Sequence, residues 1–174
     1  MCQLMNNLAD ALRNAGCNIP APKEKIDSSK VNLADKIEKC REYLKKANKA
    51  VNMINNAPDK ETSYTLVDSA VLNYQRYVEA LKDILTSICE KESVPLSEKK
   101  SLSEVIRKSL VIVNVDKDIE SSIKTLTDRN EVVHDYINNG YYDEVVIKHI
   151  INNYQKYSLH LDMIKQHCEL KKYI

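Results

Sequence analysis

Apolar residues return every three to four positions along most of this chain, the spacing of one helix face rather than the alternation of a strand. Val31, Ala34, Ile37, Cys40, Leu44, Ala47, Val51 and Ile54 form one continuous stripe, with Ser28 or Ser29 placed to cap it and Pro58 beyond its end. A second stripe, from about Thr62 to Glu90, runs through Leu66, Ala70, Tyr74, Tyr77, Leu81, Ile84, Leu85 and Ile88. Pro95 and the polar run Ser97 to Ser101 separate it from a shorter helix at about Leu102 to Val111. An Asn-Val-Asp turn near Asn114 then leads into a helix carrying Ile119, Ile123, Leu126, Val133 and Ile137, which Gly140 ends. The last helix, about Tyr142 to Leu170, places Val145, Val146, His149, Ile150, Tyr154, Tyr157, Leu161 and Ile164 on one broad side. Near the start, a short amphipathic segment from Leu4 to Ala15 stops at Gly16 and is followed by a loop with Pro20 and Pro22. These elements predict an all-α fold: an antiparallel up-and-down bundle of four to five main helices plus a short N-terminal helix. Residues 1–28 read as an N-terminal extension and 29–174 as the bundle.

Composition narrows the picture. A chain of 174 residues can bury a real core without staples, and only two Gly and four Pro leave little turn chemistry for a sheet. Phe and Trp are absent, so ten Tyr supply the aromatic bulk, and each buried hydroxyl will want a partner. The 26 basic and 25 acidic side chains nearly cancel, which excludes a global field for polyanions; any such site must be local. Lys99, Lys100, Arg107, Lys108, Lys117 and Lys124 are candidates for a local basic rim. Cys2, Cys17, Cys40, Cys89 and Cys168 are odd in number and never closely paired, which argues for reduced thiols and against a disulfide framework or zinc site. No apolar run approaches the roughly 20 residues of a membrane span, and no signal-peptide pattern opens the chain, so a cytoplasmic protein is expected.

Chemistry concentrates in Arg129-Asn130-Glu131-Val132-Val133-His134-Asp135-Tyr136. Asn130 falls on the apolar line of its helix, and His134 follows one turn later. Arg129 and Tyr136 nearly eclipse each other round the same cylinder. One broad face thus carries a permanent cation, an amide, an imidazole and a phenol. On the residues alone, His134 also fits a satisfied histidine between helices, Arg129 an ion-pair partner of Asp128 or Glu131, and Asn130 an amide that sets register. His149, His160 and His167 lack a second ligand at metal-site spacing and read as core or solvated histidines.

The order Arg129, Asn130, His134, Tyr136 resembles the signature of the HEPN superfamily, in particular its HepT-like branch. The segment Tyr74-Gln75-Arg76-Tyr77-Val78-Glu79-Ala80-Leu81-Lys82-Asp83-Ile84-Leu85 is similar to that family's second core helix. Ser103-Glu104-Val105-Ile106-Arg107 is similar to the segment before its motif helix. The resemblance spans roughly Lys60 to Cys168 and leaves residues 1–28 outside.

This resemblance implies a metal-independent endoribonuclease without a cofactor, a toxin paired with a minimal nucleotidyltransferase (MNT-type) antitoxin, acting as a homodimer whose two motif helices face one cleft. It makes Arg129 and His134 the catalytic pair, Asn130 and Tyr136 their support, and Tyr136 the residue that the antitoxin adenylylates. A related HEPN branch implies the alternative of a noncatalytic substrate-binding or partner subunit of such a nucleotidyltransferase.

Overall fold

The computed structural model describes residues 32–133 and 141–174. Every regular element among them is a helix: α1 (Leu33–Ile54), α2 (Lys60–Lys91), α3 (Leu102–Val113), α4 (Lys117–Val133) and α5 (Tyr141–Leu170). The chain is therefore all-α, a helical bundle. The expected short helix at Leu4 to Ala15 and the end at Gly140 lie outside the described residues.

Helices α1, α2 and α3 each begin where a side chain satisfies an otherwise orphaned amide. For α1 the cap is Asn32, whose Oδ1 accepts from Ala34 N at 3.1 Å, and not the serines further upstream. Asp59 caps α2 through Thr62 N at 2.7 Å, and Ser101 caps α3 through Glu104 N at 3.3 Å. Replacing Asn32 with Ala is expected to cost about 1 kcal/mol in a urea melt, with no change in helix content at low denaturant. An unchanged midpoint would show that Ala34 N is served by water instead.

Helix ends repeat one device. Val94 N donates to Cys89 O at 2.8 Å past α2, and Tyr173 N donates to Cys168 O at 2.8 Å past α5. Ser93 (φ 56°) and Lys172 (φ 58°) take the left-handed position between, where glycine is the usual residue. The two ends are tied together. Glu92 accepts from His167 Nε2 at 3.0 Å and pairs with Lys171 Nζ at 3.3 Å, while Lys91 sits 5.0 Å from the Tyr173 ring centroid. Burial pushes the Glu92 carboxyl up, but hydrogen bonds from Tyr173, His167 and Lys171 outweigh it and hold it below the usual range.

The core is one cluster drawn from all five helices, with Ile37, Leu44, Leu81, Ile84, Leu85, Ile106, Ile123, Ile150, Leu161 and Ile164 essentially inaccessible to solvent. The most extensive pairing joins α1 to α2, and α5 packs against all four other helices. Along α1–α5 the ion pairs Glu38–Lys165 (3.0 Å) and Arg41–Asp162 (2.8 Å) advance on one helix and retreat on the other. Burial at Val78, Cys89, His160 and Cys168 widens the apolar faces beyond the stripes read from spacing. No helix among the described residues is long and apolar enough to cross a membrane.

Candidate functional site

Helix α4 starts at a tight turn in which Asn114 (φ 53°) is left-handed and Asp116 Oδ1 accepts from Asp118 N at 2.8 Å. From there Ile119, Ile123 and Leu126 drive one face into the core. Arg129 and Asn130 belong to the last stretch of this helix by backbone; their side chains lie outside the description. His134 and Tyr136 lie outside the described residues altogether. The structure thus brings Arg129 and Asn130 onto the terminal part of α4, and the remaining candidate geometry rests on the sequence.

A buried polar network joins the same helix to α5. His149 is 3% exposed, and Tyr157 is completely buried. Asn153 Nδ2 donates to the His149 carbonyl at 3.0 Å, which identifies that atom as the amide nitrogen, and it also lies 3.4 Å from His149 Nδ1. His149 Nε2 is in turn hydrogen-bonded to Tyr157 Oη. The Tyr157 hydroxyl then donates to the Ser122 carbonyl of α4 at 3.4 Å. The same carbonyl accepts from Thr125 Oγ1 at 2.6 Å.

Aromatic rings enclose the network. Tyr74 meets the His149 ring edge to face at 5.8 Å between centroids, and Tyr77 lies 5.6 Å from Tyr157. Lys156 adds an outer tie to Asp118 at 3.1 Å. Sequence spacing placed His149 and Tyr157 on the buried side as core positions but did not reveal the network. The signal was present: residues 149, 153 and 157 repeat at four-residue spacing, a polar line down one side of α5.

The other candidates separate by environment. His160 is fully buried, and neither ring nitrogen has a partner among the described residues; burial lowers its pKa to about 4. Tyr77 Oη is likewise unpartnered there. Cys40, Cys89 and Cys168 are free thiols in the interior, and burial raises all three, Cys168 to about 11, so none is a reactive thiolate. No cluster of three or more metal-ligating side chains occurs among the described residues.

The basic rim is partly spent inside the molecule. Lys100 pairs with Glu90 at 2.6 Å, Lys124 with Glu120 at 2.5 Å, and Lys108 with Glu104 at 2.8 Å. Hydrogen bonds from Lys108 and Ser97 bring the Glu104 carboxyl down to about 2. Lys108 also hydrogen-bonds the Pro95 carbonyl, fastening the loop between α2 and α3. Comparison with protein-family models, with curated proteins and with solved structures returned no match for this chain.

Proposed function

We propose that this chain is a metal-independent endoribonuclease of the HEPN type, a toxin restrained by a minimal nucleotidyltransferase partner. The observation that carries the proposal is the order and spacing of Arg129, Asn130, His134 and Tyr136. The all-helical bundle and the location of Arg129 and Asn130 in the final stretch of α4 are consistent with it.

The chemistry suits these side chains. In RNA, the ribose 2′-oxygen can attack the adjacent phosphorus; the bond to the 5′-oxygen breaks, leaving a 2′,3′-cyclic phosphate and a 5′-hydroxyl. The reaction needs one group to take the 2′-proton and another to deliver a proton to the departing oxygen. Imidazole, with an unperturbed pKa near 6.5, can do either, and two copies of His134 in a homodimer would provide both. The guanidinium of Arg129 offers a planar fork of donors to the charge growing on the phosphoryl oxygens. Asn130 holds the helix geometry, and Tyr136 contacts the substrate. Adenylylation of Tyr136 would bring bulk and negative charge to that phosphate-binding site and shut it.

The test is cleavage of a tRNA pool in EDTA by purified chain whose intact mass excludes adenylylation. Cyclic-phosphate ends are the expected products. An unmodified protein that cleaves nothing would end this reading and favour the noncatalytic partner subunit.

A further inference from the structure

Resting on the ribonuclease reading, we infer that His149 and Tyr157 are positioning residues, a brace from α5 to the Ser122 carbonyl that sets the course of the α4 segment bearing Arg129 and Asn130. Three observations carry this inference.

First, hydrogen bonds link the Asn153 amide to His149 Nδ1, His149 Nε2 to Tyr157 Oη, and Tyr157 Oη to Ser122 O, to which the phenol donates. The network thus reaches the α4 backbone itself rather than another adjustable side chain. A buried helix carbonyl held this way is fixed in place as well as satisfied.

Second, Ser122 O receives two side-chain hydroxyls, those of Thr125 and Tyr157. Ser122 Oγ in turn donates to Asp118 O at 3.2 Å. Hydroxyls that bond back to helix carbonyls favour bending at that turn. The orientation of everything beyond it therefore depends on what grips Ser122. Arg129 lies about two turns further on, roughly 10 Å along the axis, where a small change of angle becomes a large displacement.

Third, burial and ring packing leave the brace little slack. Tyr74 and Tyr77 flank His149 and Tyr157, and both are buried. The contrast with Tyr77 is informative: its hydroxyl is just as buried yet has no partner among the described residues. Burial in this core does not by itself produce a hydrogen bond, and the Tyr157 hydroxyl does reach α4.

The experiment compares the full-length wild type with Tyr157→Phe, using Tyr77→Phe as the control for losing a buried hydroxyl. Amide hydrogen exchange is followed by peptide mass spectrometry, and RNA cleavage is measured in EDTA. Tyr157→Phe is expected to exchange about tenfold faster across residues 123–133, with 33–54 unchanged. It should also lower kcat about tenfold without altering KM, as loss of alignment does. Tyr77→Phe should change neither quantity. Exchange that is unaltered, or raised evenly across the chain, would overturn the brace, as would localised loosening with an unchanged kcat. If the wild type itself cleaves no RNA, the ribonuclease reading fails on its own account, and the exchange pattern alone decides whether Tyr157 holds α4.

Discussion

His134→Ala is expected to reduce metal-free RNA cleavage by about 10²–10⁴-fold while the bundle melts as the wild type does. The size follows from the step removed. A phosphodiester transfer without a metal relies on a positioned proton acceptor and donor, and alanine can be neither. In the homodimer proposed above both copies of the imidazole would be lost at once, which places the expected effect toward the upper end of that range. The fold should tolerate the change, because side chains of all five helices build the core among the described residues. The control is the melting curve of the same preparation, measured beside intact mass and cleavage. A variant that folds and still cuts RNA at the wild-type rate would remove His134 from the mechanism and leave Arg129 and Asn130 as structural residues.

Much of the bundle is legible in the apolar periodicity. Ile37, Leu44, Leu81, Ile84, Leu85, Leu161 and Ile164 are read as core from spacing alone and are buried. What spacing does not show is which of several polar residues closes a helix. Asn32 takes the cap expected of Ser28 or Ser29 because cap choice depends on local backbone angles, not on residue type alone. The ends at Ser93 and Lys172 carry no glycine signal, since contacts around Glu92, His167 and Tyr173 sustain left-handed residues there. Candidate chemistry divides in the same way. The order of Arg129, Asn130, His134 and Tyr136 is a linear pattern and is visible in one dimension. The path from His149 through Tyr157 to Ser122 joins residues far apart in the chain and emerges only when α4 and α5 are packed together.

His160→Leu is expected to make the protein markedly less sensitive to mild acid. Both ring nitrogens of His160 lack partners among the described residues, and burial alone depresses its pKa from 6.5 to about 4. Among the described residues no nearby carboxylate contributes to compensate the charged form. The sign is set by proton uptake: between pH 6.5 and 4 the unfolded chain binds a proton at this histidine that the folded chain refuses, so stability falls as pH falls. The loss begins as pH drops through the unfolded value and is complete below the folded one, about 3 kcal/mol in all. At pH 5 it should already reach about 2 kcal/mol. Glu38, Glu92 and Glu104 have depressed values, so the stability they contribute is lost only as pH falls further, from about 4.5 downward. Most of the histidine window therefore lies above theirs, and a comparison at pH 5 falls within it. Leucine fills similar space and brings no orphaned nitrogen, so at pH 7 the variant should equal or exceed the wild type in urea. Subtracting the pH 7 difference from the pH 5 difference isolates the titration of His160 from packing changes and from the titrating groups that the two proteins share. Parallel stability profiles for the two proteins between pH 7 and 4 would mean that His160 takes up its proton in the folded state, through water or an opening of α5 that relieves its burial.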